Sequence, residues 1–217
     1  MDKPLINILT RTSNRPNGFS ITYESIKQQT YKNIKHIVSY DNDDDLSYLN
    51  QYNDIELIKI DKLSLINNDN SISPKTGKYS PHNLYFNEMI KCVNDGWVIY
   101  LDDDDKFIDE NVISKIVDVI NNHDEDTLIV WQFKLGDNLI LPKEISKNTP
   151  PFIGGIGGGT ITFNYKYNDY AIWDSWKCSD FRVIDKLYNI IPKIKFINEV
   201  FVLAPTPGSG DRVDILK

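Results

Sequence analysis

The chain has 217 residues, a formal net charge of −7 and an isoelectric point near 5.0. A chain of this length buries a substantial core as one domain without disulfides or structural metals, and a content of 41% hydrophobic residues is that of a globular protein. The acidic balance excludes a surface built for nucleic-acid phosphates, because such a surface needs a concentrated basic face. We therefore predict one folded domain with no nucleic-acid partner.

The first sixteen residues, MDKPLINILTRTSNRP, contain only a short apolar run before Arg11 and Arg15. That run is too short for a signal peptide or a transmembrane anchor, so we expect a cytoplasmic location. Cys92 and Cys178 stand alone, without a C-x-x-C pair. We expect both thiols to be reduced packing residues.

Short β-rich apolar runs alternate with segments of helical spacing in the first half of the chain. The strand candidates are LINILT, IKHIVSY, IELIKI and WVIYL, and the helix candidates are FSITYESIKQQT and PHNLYFNEMIKCVN. This alternation predicts crossover units on a mostly parallel sheet. A further amphipathic helix is predicted in ENVISKIVDVINN from its apolar positions Val112, Ile113, Ile116, Val117 and Ile120.

The second half has a different pattern, since strand-like runs there are joined by longer loops. These runs are TLIVWQFK, NLILP, GTITFN and KFINEVFVLA, with SDFRVIDKLYNI as the one good helix candidate. We therefore predict two halves within a single domain, 1–105 and 106–203. The end, 204–217, is interpreted as a C-terminal loop, a lid or a tether to another domain of a longer chain.

Four consecutive aspartates follow an apolar strand in YLDDDDKF. At separations of roughly 4–6 Å and an effective dielectric near 20, adjacent carboxylates repel by about 3–4 kcal/mol. A solvated acidic turn is one interpretation, but Mg²⁺ and Mn²⁺ commonly bind through one or two carboxylates plus substrate phosphates. Ligands of open α/β sheets bind beyond the carboxyl ends of the strands, which places LTRTSN, SYDNDDD and LDDDDK around one crevice. We therefore predict a metal–diphosphate site.

A second acidic run, DNDDD at 41–45, does not fit a helix–loop–helix calcium site. Leu46 stands where the turn glycine is required, and Tyr52 stands where the bidentate glutamate should be. We expect Asp43 and Asp44 to stabilise the amino end of a helix in DDLSYLNQY, because carboxylates complement the helix dipole there.

Two segments of the second half leave alternatives open. GGIGGGT at 154–160 lacks the lysine of a phosphate-binding loop and the spacing of a dinucleotide-binding loop. A flexible loop beside a substrate cleft and a plain chain reversal explain it equally well. Trp173 and Trp176 in IWDSWKCSD are either core residues or platforms for a sugar ring.

Several spaced segments, covering roughly residues 5–107, resemble GT-A fold glycosyltransferases of family 2. SIKQQTYKNIKHIVSYDNDDD resembles the family's Ser-[hydrophobic]-x-x-Gln-Thr-Tyr segment and the following strand that ends in Asp-Asp-Gly-Ser-x-Asp. DGWVIYLDDDD resembles Gly-Glu-Tyr-Ile-x-Phe-Leu-Asp-x-Asp-Asp. The chain is especially similar to compact nucleotide-sugar transferase domains encoded by large DNA viruses. The resemblance implies a single α/β domain of the GT-A (Rossmann-like) type, with a central mostly parallel mixed sheet flanked by helices.

The resemblance also implies a metal-dependent hexosyltransferase that takes a nucleoside diphosphate sugar, in particular a UDP-sugar, as donor. Asp102 and Asp104 would bind Mn²⁺ or Mg²⁺, and Asp103 between them would face the donor. The implied acceptor is a hydroxyl of a glycan or glycoconjugate. The remaining donor-binding positions implied are Thr10, Arg11, Asp41 and Asn87 for the nucleoside and Arg15 for the diphosphate.

CSDFRVIDKL resembles the helix start where the family carries an acidic pair whose aspartate is the catalytic base. Ser179 stands in place of the first acid, so the resemblance assigns the base to Asp180. Asp174 is the substitute if Asp180 points away from the acceptor.

Two other functions are compatible with parts of the sequence. A phosphatase of the haloacid dehalogenase type would use an apolar strand followed by Asp-x-Asp, but it expects threonine or valine two residues later. This chain has Lys106 or Phe107 there. A catalytically weak module that binds sugar nucleotides or glycans is the second alternative, because the second half of the chain matches the family less well.

Overall fold

The computed structural model describes residues 3–72, 74 and 77–204. Its first half alternates strands and helices, as the apolar periodicity predicts, and each predicted strand appears within a residue or two of its expected bounds. The short helix α2 lies within the helix predicted in DDLSYLNQY, whereas the short helix α3 was not predicted. The elements are β1 (Ile6–Arg11), α1 (Pro16–Lys27), β2 (Ile34–Tyr40), α2 (Leu46–Leu49), β3 (Ile55–Lys59), α3 (Lys62–Asn67), α4 (Tyr85–Ile90) and β4 (Trp97–Tyr100).

The second half contains more strands than helices, as predicted. The predicted C-terminal loop at 204–217 lies outside the described residues, apart from Ala204. In the described part of the chain, no helix has the length and apolarity needed to span a bilayer. The elements are β5 (Lys106–Phe107), α5 (Val112–Asn121), β6 (Thr127–Leu135), β7 (Leu139–Leu141), β8 (Ile161–Asn164), α6 (Ser179–Ile190) and β9 (Lys193–Ala204).

One mixed sheet runs through the molecule in the order β3-β2-β1-β4-β8-β6-β9-β5, and β7 pairs with β6. The four strands of the first half are mutually parallel, as crossover connections require. β8 is antiparallel to both β4 and β6, whereas β9 is parallel to β6. The predicted α/β class is confirmed, and the parallel character belongs to the first half of the sheet.

Helices cover both faces of the sheet, so its central strand β4 is apolar on both sides. Val98 and Tyr100 pack into the cluster that contains α4 and α6, whereas Trp97 and Ile99 pack into the opposite cluster with α5. Strand side chains alternate between faces, and each fully buried aliphatic or aromatic side chain contributes about 1.5–3 kcal/mol. The five apolar positions predicted for α5 are all buried in that second cluster.

Candidate functional site

A cleft of about 690 Å³ lies at the carboxyl ends of β1, β2 and β4. Its size is within the range of small-molecule sites. One wall comes from the strand ends and carries Arg11, Arg15, Asp41 and the aspartate run at 102–105. The other wall comes from the second half and includes the glycine loop and Asp180 at the start of α6. The structure thus brings the three strand-end segments together around one crevice.

Two arginines lie among the aspartates. Arg15 Nη1 donates hydrogen bonds to Asp103 Oδ1 at 2.9 Å and to Asp104 Oδ2 at 3.3 Å. Arg11 Nε lies 3.1 Å from Asp102 Oδ1. The side chain of Asp103 is only 6% exposed, whereas that of Asp102 is 41% exposed. Repulsion within the run is therefore partly offset by two guanidinium groups, one at the end of β1 and one in the loop after it.

The arginines do not fully compensate the negative charge. Burial raises the pKa of Asp103 to about 7, and the charge of Asp104 adds to this effect although Arg15 opposes it. Burial followed by the charge of Asp102 raises the pKa of Asp104. Burial and the three neighbouring carboxylates together raise the pKa of Asp105 well above its usual range. The floor of the cleft therefore favours the binding of an additional cation.

The oxygen atoms at this site suit a hard divalent ion. Within the described ranges, no three histidine, cysteine, aspartate or glutamate residues form a preassembled metal cluster. Mg²⁺ and Mn²⁺ do not require one, because they are often held by one or two carboxylates while water and phosphate oxygens complete the shell. Asp102 Oδ1 is buried beside Arg11 Nε, but the Asp102 side chain as a whole is 41% exposed, and Asp104 is 18% exposed in the same cleft. These two carboxylates fit a metal that is shared with a diphosphate.

Asp41 offers a buried acceptor on the cleft wall. Tyr85 Oη donates to Asp41 Oδ2 at 2.6 Å, and Lys62 Nζ lies 3.0 Å from the same oxygen. Burial opposes ionisation, but the hydrogen bond from Tyr85 and the hydrogen bond and charge of Lys62 lower the pKa of Asp41 below its ordinary value. Oδ1 is buried without a hydrogen-bond partner within the described residues. An N–H group of a ligand could satisfy this oxygen.

Two positions that the resemblance assigned to the nucleoside lie away from the cleft lining. Thr10 is fully buried, and its Oγ1 is 3.0 Å from His36 Nε2. Asn87 exchanges two hydrogen bonds of 2.8 Å with the backbone of Trp173. Both side chains already have partners inside the protein, so neither is placed to meet a donor. The neighbouring Thr12 and Asn83 line the cleft instead.

The two candidate bases have different surroundings. Asp180 lies in the first turn of α6 and lines the cleft. Burial, with a smaller contribution from the charge of Asp102, raises its pKa. Asp174 is not part of the cleft lining, since it forms a bidentate pair with Arg182 Nε at 2.5 Å and Nη2 at 2.6 Å. Asp174 therefore anchors the loop before α6, and Asp180 is the carboxylate available to a ligand.

The glycine loop at 154–160 forms the roof of the acidic part of the cleft. A Cβ atom on Gly158 would lie 3.2 Å from Trp173, and one on Gly159 would lie 3.5 Å from Asp105 Oδ2. These contacts decide the alternative left open by the sequence in favour of a loop beside the cleft. Trp173 is 5% exposed and packs on Phe86 with 4.5 Å between ring centroids, so it is a core residue that also reaches the cleft.

Several cleft residues were not predicted from the sequence. Arg11 Nη1 donates to Asn83 Oδ1 at 2.7 Å, and Asn83 Nδ2 donates to the Trp176 carbonyl at 3.0 Å. Asn83 thus joins the strand-end wall to the loop before α6. The sequence contains one signal for it, because Ser80 followed by Pro marks a helix start, where exposed polar groups gather. Further unpredicted lining residues are Lys62, His82, Tyr85 and Lys177, whereas Thr12 and Ser13 belong to the predicted segment LTRTSN.

No protein-family model matches the sequence, and a search of curated proteins finds no match. Solved structures do match. Crystallised S. aureus TarS is similar over 93% of this chain and 60% of its own, with a TM-score of 0.68 and 15% identity. TarS in complex with UDP-GlcNAc is similar over 95% of this chain and 60% of its own, with a TM-score of 0.68 and 14% identity.

Mannosyltransferase PcManGT from Pyrobaculum calidifontis, in complex with GDP-Man and Mn²⁺, is also similar. The match covers 98% of this chain and 60% of that one, with a TM-score of 0.63 and 12% identity. The chain thus spans about 60% of each of these crystallised chains, which for TarS comprise residues 1–349, and only 38% of a longer TarS structure. At such identities the likeness establishes the fold alone. The chain has the GT-A type of α/β fold found in these glycosyltransferases.

Proposed function

We propose that this chain is a metal-dependent glycosyltransferase that moves a sugar from a nucleoside diphosphate sugar, in the first instance a UDP-sugar, to an acceptor hydroxyl of a glycan or glycoconjugate. The observation that carries the proposal is the cleft itself. It holds a carboxylate-rich floor with two arginines on one side and Asp180 on the other. The complexes of the similar proteins with UDP-GlcNAc and with GDP-Man and Mn²⁺ support the class of donor.

Asp41 would recognise the base of the donor. Its free Oδ1 is an ionised acceptor, which pairs with an imino N–H and repels a ring nitrogen that carries a lone pair. Uracil and guanine present such an N–H, whereas neutral adenine and cytosine present an acceptor there. Lys62 and Tyr85 hold the other oxygen of Asp41, so the carboxylate is fixed before the ligand arrives.

Asp102 and Asp104 would hold the Mn²⁺ or Mg²⁺ ion. When bound, this ion neutralises the charge that develops on the leaving diphosphate. Asp103 is buried beneath them, and its bond to Arg15 fixes the loop that carries the two ligands. Arg11 and Arg15 provide two further positive charges on the same side of the cleft.

Asp180 would accept the proton of the acceptor hydroxyl while that oxygen bonds to the anomeric carbon and the bond from carbon to diphosphate oxygen breaks. Its raised pKa makes it a stronger base than an exposed aspartate. The glycine loop over the cleft has no side chains at 157–159, which leaves room for an acceptor beside Asp180 and Asp105.

The test is a thermal-unfolding screen of UDP-Glc, UDP-GlcNAc, UDP-Gal and GDP-Man with and without Mn²⁺, followed by detection of nucleoside diphosphate release. A ligand at 100 times its Kd stabilises the native state by about 2.7 kcal/mol. We expect a Mn²⁺-dependent rise in Tm with at least one UDP-sugar. If no nucleotide sugar raises Tm, or if the rise is independent of Mn²⁺, the proposal is contradicted.

A binding module without catalysis is the second candidate, because Asp174 is committed to Arg182 and Ser179 replaces the first acid beside Asp180. Metal-dependent donor binding without turnover by any acceptor or by water would favour it. Release of phosphate from simple monoesters would instead favour the phosphatase alternative, for which the structure offers no specific support.

A further inference from the structure

A single nitrogen of Arg15 contacts two carboxylates. Its Nη1 donates both to the buried Asp103 at 2.9 Å and to the more exposed Asp104 at 3.3 Å. The Arg15 side chain is 31% exposed and lines the cleft. Within the described residues, this guanidinium donates one hydrogen bond to each of these two acids and none to any other group. Arg15 therefore occupies the position of a counter-ion on the floor of the cleft.

Arg11 is held quite differently. Its Nη1 donates to Asn83 at 2.7 Å, and its guanidinium carbon lies 5.0 Å from the centroid of the Phe86 ring. These contacts to neutral groups keep Arg11 in place whatever happens to Asp102. Arg15 is held by carboxylates alone among the described residues, and its bond to Asp104 is longer than its bond to Asp103, so it can turn away from Asp104 while it stays beside Asp103.

We propose that a divalent cation displaces Arg15 from Asp104 and that the released guanidinium then binds the diphosphate of the donor. This inference rests on the proposed function, and it adds that Arg15 couples metal binding to donor binding. A guanidinium and a divalent ion cannot share one carboxylate oxygen without strong repulsion. A diphosphate offers the guanidinium replacement acceptors in the planar, forked geometry that arginine matches well.

The consequence is a coupling free energy between the two ligands. In the protein alone, Arg15 competes with the metal for Asp104, so metal binding without donor is weakened. In the presence of diphosphate this competition disappears, because the guanidinium has another partner. Removing Arg15 should therefore increase the affinity for the metal in the absence of donor. It should also reduce the factor by which the diphosphate increases that affinity.

The experiment measures Mn²⁺ binding from the electron paramagnetic resonance signal of free Mn²⁺, with and without UDP, in the wild type, Arg15→Gln and Lys91→Gln. Lys91→Gln is the matched control, because it also removes one positive charge but from an exposed pair with Glu88 outside the cleft. We expect Arg15→Gln to bind Mn²⁺ alone about tenfold more tightly. We also expect UDP to enhance Mn²⁺ binding less in this variant than in the wild type or the control.

Equal or weaker binding of Mn²⁺ alone by a folded Arg15→Gln variant would overturn the inference, since Arg15 would then merely position the two acids. If Arg15→Gln does not fold, Arg15→Met is measured instead. A methionine keeps much of the aliphatic stem but removes the positive charge, so tighter Mn²⁺ binding with reduced enhancement by UDP supports the inference and unchanged values oppose it. Failure of the proposed function is distinct, because the wild type would then bind neither Mn²⁺ nor UDP.

Discussion

The side-chain amide of Asn87 holds the backbone of Trp173 at both of its polar groups. Asn87 Oδ1 accepts from the Trp173 N–H and Asn87 Nδ2 donates to the Trp173 carbonyl, each at 2.8 Å. The two residues are 86 positions apart, and the bonds connect α4 to the loop that leads into α6. Since Asp180 lies in the first turn of α6, Asn87 contributes to the position of the candidate base without lining the cleft.

Replacing Asn87 with alanine should lower the free energy of unfolding by about 1–3 kcal/mol, because two backbone groups lose their partners. We expect little change in donor affinity. Urea unfolding and donor titration, with the exposed Asn189→Ala as control, separate these effects. A large loss of donor affinity at unchanged stability would instead support the donor contact implied by the family resemblance.

Asp104→Asn should remove metal-dependent donor binding, because the amide keeps the shape of the side chain but loses the charge that attracts a hard divalent ion. The measurement is calorimetric titration of the donor with and without Mn²⁺. Asp44→Asn is the matched control, since Asp44 is exposed beside the amino end of α2 and outside the cleft. Unchanged metal-dependent binding by Asp104→Asn would contradict the proposed metal site.

Asp180→Asn should preserve donor binding and lower the rate of transfer by about 10²- to 10⁴-fold, the usual contribution of a general base. Burial raises the pKa of Asp180, so the wild-type rate should fall as the pH drops through this raised value and the carboxyl becomes protonated. The residual rate of Asp180→Asn should lack this acid limb. Asp185→Asn, on the same helix and outside the cleft, should retain the full rate and the limb.

Gly96→Ala should strongly destabilise the protein. Gly96 has a φ of +81°, and a Cβ atom there would lie 2.3 Å from the carbonyl oxygen of Leu5, which accepts the Trp97 N–H at the start of β4. Gly136 also has a positive φ, of +56°, but a Cβ atom there meets nothing within 4 Å. We expect Gly136→Ala to cost about 1 kcal/mol and Gly96→Ala several times more. If denaturant unfolding shows that the two variants lose the same free energy of unfolding, the contact with Leu5 is unimportant.

The stability of the protein should fall in acid partly through His36. This side chain is buried between β1 and the aromatic ring of Phe19, and burial lowers its pKa to about 3. The unfolded chain therefore binds a proton at a higher pH than the native protein does. The contribution of neutral His36 is complete above about pH 6.5 and is lost as the pH falls towards 3, by up to about 1.4 kcal/mol per unit.

His36→Gln should remove this part of the acid sensitivity, although it lowers stability at neutral pH. The measurement is the free energy of unfolding at pH 7 and pH 4.5 in the wild type and the variant. The exposed His123→Gln serves as control. If the free energy of unfolding falls by the same amount between pH 7 and pH 4.5 in the wild type and in His36→Gln, His36 is not the group that titrates.

The amino-acid sequence by itself determined most of the strands and helices, their order and the edge of the sheet that carries the cleft, but neither α3 nor the two-residue strand β5. Those features follow from local periodicity, as in α5, whose five predicted apolar positions are all buried. The aspartate run after β4 was likewise readable, because a charged run that ends a buried strand must emerge at the carboxyl edge of the sheet.

Only the tertiary structure decided which polar side chains face the cleft. Asn87 and Asp174 are as polar as the cleft residues Asn83 and Asp180, but both are bound to other parts of the protein. Asn87 binds the backbone of Trp173, and Asp174 binds Arg182. The antiparallel pairing of β8 with β4 was also decided at this level. Side-chain direction and strand neighbours depend on long-range packing, which no local pattern records, whereas periodicity is a property of adjacent residues.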